Sequence, residues 1–309
     1  MSEHTLRRII IALAAIAIVW VGIRIGRFVS RGGPGDGGPL AAALQRLRDD
    51  TASAFTITSP AGDRVELQQT ATGWTVNGMP ADSAGVDRLR QTLRDATVGD
   101  LVATTAQNHP RLGVHADSAY ILDIRAGDQG ETTKLIIGRS GTRAGSGYVR
   151  LSDADETWQV STDLRSAVAR SINEWRDRVL LRIDTARVAR IQLTRQGETY
   201  SLTRDSAGWS IDSDAAQHAD SLATRNVLAE LARFEASAVS PDTASFTGDD
   251  TRHITAFSTA GDTLANLEFA GREYIWRARR PGQPTLYDIA SYRIDRLVPL
   301  RSDLTGRLE

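Results

Sequence analysis

The sequence predicts an α+β protein with two tandem repeats, each an antiparallel sheet with helices packed on one face, behind an N-terminal transmembrane helix. Three observations lead to this prediction. The chain begins with a long apolar run, and a pattern of strands and helices then occurs twice. The turns between the expected strands are short, such as residues 61–63 and 260–262, which favours antiparallel hairpins over βαβ crossovers.

Composition restricts the class of function. The chain has 309 residues, with 37 basic and 38 acidic side chains and a formal net charge of -1. A general nucleic-acid binder is expected to be clearly basic, so we expect no nucleic-acid partner. The sequence contains no cysteine, which excludes disulfides, thiolate metal sites and thiol catalysis.

The N-terminal apolar run extends from Ile9 to Ile23. As a helix it rises about 22 Å, and continuation to Val29 would bring it close to the ~30 Å hydrocarbon core, with Arg24 and Arg27 reaching the headgroups. A cleaved signal peptide is the alternative, but the bulky residues 19–24 do not suit a processing site. We therefore expect residues 9–29 to be an uncleaved, single-pass signal anchor.

The orientation of this anchor rests on a weaker argument, because basic residues flank both ends almost equally. We expect residues 1–8 to be a cytoplasmic tail and the bulk of the chain to be periplasmic, at the inner membrane. Residues 30–50 are expected to form a Gly/Pro-rich linker and a short helix that carries Leu40, Leu44 and Leu47 at helical spacing.

The strand pattern that occurs twice is marked by a Gly-Trp pair. Gly73–Val76 (GWTV) recurs as Gly208–Ile211 (GWSI), each after an earlier pair of alternating strands. This repetition divides the remainder into a first copy, residues 51–180, and a second copy, residues 181–309.

Each copy continues in the same way. Asp82 and Asp220 are expected to cap the helix that follows the Gly-Trp strand. Further on, residues 120–124 align with residues 253–257, and residues 135–138 with residues 268–271. Each copy is expected to close with one helix, whose apolar stripe is Leu164, Val168, Ile172, Trp175 and Val179 in copy one and Ile294, Leu297 and Leu304 in copy two.

This organisation resembles the domain-of-unknown-function family 4340, and the likeness covers most of residues 51–309. The step Leu112-Gly113-Val114 and the segment Trp175–Leu181 belong to the same resemblance. Copy two departs from it, because Phe246-Thr247-Gly248 stands in place of the Leu-Gly-Val step and the ending at Leu300–Leu304 is degraded. The resemblance implies a single-pass extracytoplasmic protein, often encoded beside ABC exporters related to the gliding-motility transport system, without established enzymatic residues.

Candidate metal and phosphate sites are weak. His109 and His115 are six residues apart in a loop, which is not the i,i+4 spacing of a helical metal site. The glycine-rich segment 138–147 carries two arginines that could hold an anion, but it lacks the Walker lysine and is expected to join two strands. A hairpin loop is the favoured interpretation.

Three further groups have an ordinary structural interpretation beside a functional one. The segment 153–156 could bind calcium through Asp153, Asp155 and Glu156, or it could be a polar turn. The complete twelve-residue calcium-binding loop is absent, which favours the turn. A basic site or a solvated sheet face could explain Arg277, Arg279 and Arg280, and the face is favoured because acidic residues stand nearby. Sugar platforms or core residues could explain Trp74, Trp158 and Trp209, and their places in alternating strands favour the core.

We therefore expect no catalytic, cofactor-binding or metal-binding residues, no cofactor and no enzymatic activity. The leading hypothesis is a membrane-tethered extracytoplasmic accessory or scaffold protein, anchored by residues 9–29, with a membrane-protein partner such as ABC transporter subunits. The alternative is a binding domain for an envelope polysaccharide or lipid, in a cleft between the two copies. A hydrolase with acids from Asp153, Asp249 and Asp250 is a third and weaker possibility.

Overall fold

A computed structural model describes most of the chain. The described residues are 38–49, 52–126, 132–212, 214–241 and 244–305. The expected cytoplasmic tail, transmembrane anchor and first part of the linker, residues 1–37, lie outside them. Within the described ranges, no helix has the length and apolar character needed to cross a bilayer.

The chain divides into two compact units between Arg176 and Asp177, whereas the sequence pattern placed the boundary between residues 180 and 181. The intervening segment forms a strand, Val179–Leu181, which pairs with Phe234–Glu235 of the second unit.

The first unit contains five α-helices and nine strands among its described residues. In chain order these elements are α1 (Gly38–Asp49), β1 (Ala52–Thr58), β2 (Arg64–Thr70), β3 (Gly73–Val76), β4 (Met79–Pro80), α2 (Ser83–Asp95), β5 (Val98–Ala103), a 3₁₀ turn (Ala106–Asn108) continuing into a one-turn α-helix α3 (His109–Leu112), β6 (Tyr120–Ala126), β7 (Thr132–Ser140), β8 (Gly147–Leu151), β9 (Thr157–Val160), α4 (Leu164–Val168) and α5 (Ile172–Trp175). The strand order across the sheet is β4-β3-β2-β1-β6-β7-β8-β9-β5.

The second unit begins with the short strand at its boundary. Its described elements are β10 (Val179–Leu181), a 3₁₀ turn (Thr185–Arg187), β11 (Val188–Arg195), β12 (Glu198–Asp205), β13 (Gly208–Ile211), β14 (Asp214–His218), α6 (Ser221–Ala232), β15 (Phe234–Glu235), β16 (Ala238–Val239), β17 (Asp250–Ser258), β18 (Thr263–Arg272), β19 (Ile275–Arg279), β20 (Tyr287–Ile289), α7 (Ser291–Leu297) and α8 (Arg301–Leu304). The strand order across its large sheet is β14-β13-β12-β11-β17-β18-β19-β20-β16.

The two large sheets have the same strand order. Counting from β1 in the first unit and from β11 in the second, each strand has the corresponding neighbours, and the pairing is antiparallel. Two large antiparallel sheets accompanied by helices confirm the predicted α+β class.

Each sheet has its own hydrophobic core. In the first unit, Phe55 and Leu122 of the sheet share a buried cluster with Leu89 of α2 and Trp175 of α5. In the second unit the sheet clusters with the helical residues Val227, Leu231, Ile294 and Leu304. Of the predicted closing stripes, Leu164, Val168, Trp175, Ile294, Leu297 and Leu304 are buried in these clusters, whereas Ile172 is partly buried.

The alignment of the later strands of the two copies is wrong by one residue. Phe55 pairs with Ile124 in the first unit, and its repeat counterpart Ile191 pairs with Ala256. Ile124 therefore corresponds to Ala256, not to Phe257 as the sequence alignment proposed. Because a one-residue shift moves every side chain to the other face of a sheet, the corrected alignment is the one that places buried residues opposite buried residues.

The expectation of one closing helix in each copy is also wrong. In the first unit the helix stops after Val168 and a new helix begins at Ile172, because Ser171 and Glu174 form a capping box. Val179 belongs to β10, and the second unit likewise has two short closing helices, α7 and α8. The separate helices permit the loop between them to change direction.

One of the two expected helix caps is confirmed. The Asp220 carboxylate accepts hydrogen bonds from the backbone N–H groups of Leu222 and Ala223, as an N-cap does. Asp82 makes no such bond, and its carboxylate instead pairs with Arg170 at 3.3 Å.

The two units retain a matching close approach where copy two lacks the Leu-Gly-Val step. In the first unit, a Cβ on Gly138 of β7 would lie 2.4 Å from the Leu112 carbonyl oxygen. In the second unit, a Cβ on Gly248 would lie 2.3 Å from the backbone nitrogen of Gly271 in β18. The loop before β6 or β17 therefore packs on a strand backbone in both units, although the local sequences differ.

Candidate functional site

The candidate functional site is an open groove in the first unit with a volume of about 480 Å³. The end of β1, the β1–β2 turn, the start of β6 and the connection between α4 and α5 form its walls. The lining residues are Ile57, Ser59, Asp63, Arg64, Val65, Tyr120, Val168, Ala169, Arg170, Ser171 and Ile172. We refer to this set as the first-unit groove.

Local sequence explains how these segments hold the groove open. The β1–β2 turn is fixed by Ser59, whose hydroxyl accepts from the Asp63 N–H at 3.0 Å, and by Gly62, whose φ of +89° suits glycine. On the opposite wall, the capping box at Ser171 starts α5 only three residues after α4 ends. The short connection between these helices leaves a space above the sheet.

The groove combines an apolar floor with a polar rim. Ile57, Val65 and Val168 are buried, and the Tyr120 ring is half-buried with the Arg165 guanidinium 5.0 Å from its centroid. At the rim, Arg170 donates to the Glu174 carbonyl oxygen and pairs with Asp82, so its charge is compensated. An aliphatic side chain would find van der Waals contact on this floor and hydrogen-bonding groups around it.

The second unit has different residues at the equivalent positions. Ile57 pairs with Val65 and Leu122, whereas Leu193 pairs with Tyr200 and Ile254. Tyr200 therefore replaces Val65. The same register places Arg252 where the first unit has Tyr120.

Tyr200 and Arg252 take part in a network of polar contacts. Arg252 is 7% exposed and its guanidinium lies 2.7 Å from the Asp295 carboxylate and 4.4 Å from the Trp276 ring centroid. Arg195 reaches the same carboxylate at 3.1 Å, and the Tyr200 hydroxyl donates to the Pro299 carbonyl oxygen. Tyr200 and Arg252 thus stand in the second unit at two positions whose counterparts line the groove in the first.

We expect Tyr200 to make the second unit sensitive to high pH. Burial raises the pKa of Tyr200 to about 12, against the partly opposing effect of Arg195. A tyrosine whose pKa is higher in the folded state than in the unfolded state, where it is about 10, stabilises the fold at pH values below 10. This contribution is about 2 kcal/mol and is lost as the pH rises through 12. Urea unfolding of wild type and Tyr200→Phe between pH 8 and pH 12 measures it.

The Tyr200→Phe variant is expected to lose stability at pH 8, by about 1 kcal/mol, because the hydrogen bond to Pro299 is removed. Its stability should then fall less steeply above pH 10 than that of wild type. Burial also raises the pKa of Tyr287, which leaves a smaller residual slope of the same sign. Parallel profiles for the two proteins would contradict the assignment.

The two histidines of the first unit lie in different surroundings. His109 is buried, and its Nε2 lies 2.8 Å from the Asp155 carbonyl oxygen. His115 is exposed and its Nδ1 lies 3.4 Å from the Asp117 carboxylate. Across the described part of the chain, no three or more His, Asp or Glu side chains group in a way that could hold a metal ion.

The glycine-rich segment 138–147 joins β7 to β8 as a hairpin loop. Of its two arginines, Arg143 pairs with Asp100 at 2.9 Å, while the stem of Arg139 lies against Gly113. The acidic residues 153–156 form the turn between β8 and β9. Both segments therefore have the structural roles that were favoured for them.

The remaining candidates are mostly paired or buried. Asp249 pairs with Arg272 at 2.6 Å and Asp250 with Arg252 at 3.1 Å. All three candidate tryptophans pack against the cores: Trp74, Trp158 and Trp209. Arg277 and Arg279 have carboxylate partners, but Arg280 differs and is treated below.

Comparison with protein families identifies the chain's relatives. The profile described as "Domain of unknown function (DUF4340)" matches residues 74–253, more than half of the chain. The chain belongs to the DUF4340 family. The DUF4340 match begins at the Gly-Trp strand of the first unit and ends in β17 of the second, so it includes Tyr120 and the α4–α5 connection of the first-unit groove.

No curated protein matches the chain. Among solved structures, a Ca²⁺-stabilized adhesin that helps an Antarctic bacterium reach out and bind ice is 11% identical, with a TM-score of 0.11. The match covers 72% of this chain and 65% of the adhesin chain, so this chain spans less than two thirds of the length of that protein. A TM-score this low carries no conclusion about the DUF4340 chain.

Sequence reasoning missed the first-unit groove. Its walls come from three segments that are far apart in the sequence, so no local motif marks it. One signal was available: the pattern Ser171-x-x-Glu174 is a capping box inside the expected closing helix, and it indicated the break that opens the groove.

Proposed function

We propose that this protein is a non-enzymatic accessory or scaffold protein, tethered to the inner membrane by residues 9–29, with its two units on the extracytoplasmic side. The apolar run and the Gly/Pro tract after it support the tether. A tether raises the effective concentration of the protein beside a membrane partner. In this proposal the partner is a membrane protein, such as a subunit of an ABC-type transporter.

We further infer that the two units are tandem copies of one α+β module. The equal strand order supports this, as does a matching hydrogen bond: the Asp82 N–H donates to the Trp175 carbonyl and the Asp220 N–H donates to the Leu304 carbonyl, each at 2.7 Å. Copies of one module can diverge so that only one keeps a binding role.

The contrast at the first-unit groove is the observation that carries the proposed binding role. The second unit has Tyr200 and Arg252 at the positions of Val65 and Tyr120, whereas the first unit has an open groove above buried aliphatic side chains. The apolar side chains that line an open groove lack the van der Waals contacts that they would make with an occupant. An occupant supplied by a partner, an aliphatic side chain with its flanking backbone, would restore these contacts.

A tryptophan at position 169 is expected to close the groove. Ala169 is exposed, lines the groove and has a φ of -77°, which tryptophan accepts without strain. In crosslinked membranes solubilised with detergent, full-length wild type should recover a specific transporter subunit, and Ala169→Trp should recover about tenfold less or lower still. Quantitative mass spectrometry of the crosslinked subunit measures the change.

Ala116→Trp is the matched control, because Ala116 is exposed in the same unit and does not line the groove. It should recover as much partner as wild type. Equal losses in both variants, or recovery of this protein alone from wild-type membranes, would contradict the proposal. Retention on immobilised envelope glycans or lipids, with no recovered protein partner, would favour the alternative of a polysaccharide- or lipid-binding domain.

A further inference from the structure

A second open cavity, with a volume of about 420 Å³, lies within the second unit. It is bounded by the end of β10 with the residues after it, by the first half of β18, and by the residues after β19. Its lining residues are Leu180, Leu181, Arg182, Ile183, Thr263, Leu264, Ala265, Asn266, Arg280, Pro281 and Gln283. We refer to these residues as the second-unit cavity, and no carboxylate is among them.

One wall of this cavity is an open strand edge. The pairing of β18 with β19 runs from Glu268 to Arg272, because β19 ends at Arg279 opposite Glu268. Among the described residues, 263–267 of β18 therefore have no partner strand on that side. Backbone donors on an open edge are available to a ligand.

Two arginines carry uncompensated charge at the cavity. The Arg280 Nη2 donates to the Leu180 carbonyl oxygen at 2.8 Å and lies 3.4 Å from the Val179 carbonyl oxygen. These neutral acceptors position the guanidinium without cancelling its charge. Arg182 is exposed, and the described part of the molecule provides it with neither a hydrogen bond nor an ion pair.

Neighbouring arginines are neutralised, which sets this pair apart. Arg279 lies 2.7 Å from the Glu268 carboxylate, and Arg277 lies 3.7 Å from the Asp288 carboxylate. The basic cluster at residues 277–280 is therefore two solvated ion pairs and one free charge.

The carboxylates nearest in sequence to the lining have other partners. Asp184 accepts from the Ala186 N–H at 3.0 Å, and Asp262 accepts from the Ser258 hydroxyl at 3.4 Å. Neither side chain lines the cavity.

Asn266 adds an oriented donor. Its Oδ1 accepts from the His253 Nε2 at 2.6 Å, which leaves the Nδ2 amide hydrogens of this cavity-lining residue for another acceptor. Arg182, Arg280 and Asn266 therefore line one cavity as residues that carry hydrogen-bond donors.

The first unit does not repeat this arrangement. In the aligned registers, Leu151 stands where the second unit has Arg280, and Lys134 stands where it has Asn266. Lys134 pairs with Asp123 at 3.3 Å. The donor set is therefore a feature of the second unit alone.

We propose that the second-unit cavity binds a phosphate-type oxyanion. Arginine presents a planar fork of N–H donors that matches the oxygens of a phosphate group, and such charge-assisted hydrogen bonds are the strong ones. Arg182 and Arg280 supply these forks, and Asn266 donates to a third oxygen. The second-unit cavity and the first-unit groove lie in different units, so the test of oxyanion binding is independent of the proposed partner binding.

Inorganic phosphate is the first probe, titrated calorimetrically into the full chain in nonionic detergent at constant ionic strength. Wild type should bind, and Arg182→Gln should weaken the Kd about tenfold, because one charge-assisted contact is lost. Arg182 has no structural partner, so this variant should keep the wild-type unfolding midpoint. Arg225→Gln is the matched control, since Arg225 is exposed on α6, outside the cavity, and its replacement removes the same charge.

A short-chain phosphatidylglycerol in the same assay distinguishes two sources of the phosphate group. Tighter binding of the lipid than of inorganic phosphate would identify a lipid headgroup, and weaker or equal binding would identify a free phosphate. In either case Arg182→Gln must weaken the binding of the probe that wild type binds more tightly. Absence of binding of both probes to wild type, or equal weakening by Arg182→Gln and Arg225→Gln, would overturn the proposal.

Discussion

Replacing Trp175 by alanine is expected to lower the free energy of unfolding of the first unit by about 3–5 kcal/mol. The Trp175 side chain is fully buried at the end of α5, in the cluster that joins the helices to the first sheet. Deleting a buried aromatic ring loses its transfer free energy and leaves a cavity. The Arg170 guanidinium, 4.4 Å from the ring centroid, also loses its contact.

Scanning calorimetry of the full chain measures this effect. The transition that belongs to the first unit should move to a lower temperature. Leu304→Ala is the matched variant, because Leu304 holds the equivalent place in the second unit and is fully buried. It should shift the other transition.

Tyr274→Ala is the surface control, because it removes a side chain that is 84% exposed. It should change the free energy of unfolding of neither unit by more than about 0.5 kcal/mol. A Trp175→Ala loss below 1 kcal/mol would contradict the expected core role.

Replacing Glu230 by leucine is expected to cost the second unit about 3 kcal/mol. The Glu230 side chain is 7% exposed on α6, and its carboxylate pairs with Arg293 at the start of α7. Removal of one partner leaves the other charge buried and uncompensated. The free-energy cost of that charge exceeds the stabilisation that the intact pair provides. Arg293 would keep its 3.2 Å hydrogen bond to the Arg233 carbonyl and its place 4.8 Å from the Phe234 ring centroid.

A double-mutant cycle separates this pair from simple packing. Glu230→Leu with Arg293→Leu should be more stable than the sum of the single losses by about 1 kcal/mol or more, as measured by urea unfolding. Arg296→Ala is the control, since Arg296 is 46% exposed and 3.6 Å from the Glu230 carboxylate, and should cost less than about 1 kcal/mol. Additive losses at positions 230 and 293 would contradict a coupled pair.

Much of the fold could be predicted because its signals are local. Alternating strands and short turns, such as the β1–β2 turn closed by Gly62, indicate antiparallel hairpins without knowledge of distant contacts. The buried helical positions Leu164 and Val168 followed from a 3.6-residue period. The family resemblance was also correct.

The errors in the prediction arose where the two units differ in sequence. The later strands were aligned one residue out because Tyr120, at the start of β6, looks more like His253 than like its true counterpart Arg252. The single closing helix was wrong because its apolar stripe continues across the break, and only the cap at Ser171 marks the break.

Neither the first-unit groove nor the second-unit cavity could be predicted because both depend on contacts between distant segments. Arg280 and Arg182 line one cavity because the residue after β19 binds the Leu180 carbonyl of β10, and no spacing in the sequence expresses this contact. The basic cluster at residues 277–280 suggested three equivalent arginines. Only three-dimensional pairing with Glu268 and Asp288 shows that one of them differs.

The equal strand order of the two sheets has a consequence for biosynthesis. A nascent chain that carries two sets of strands with the same order can exchange them, so that β11 and β12 insert where β1 and β2 belong and a misassembled species results. Sequence divergence opposes this error: a swapped sheet would bring Tyr200 and its hydroxyl beside α4–α5, where Pro299 is not available to accept the hydrogen bond. The residues that distinguish the two units therefore also help each unit to select its own strands while it folds.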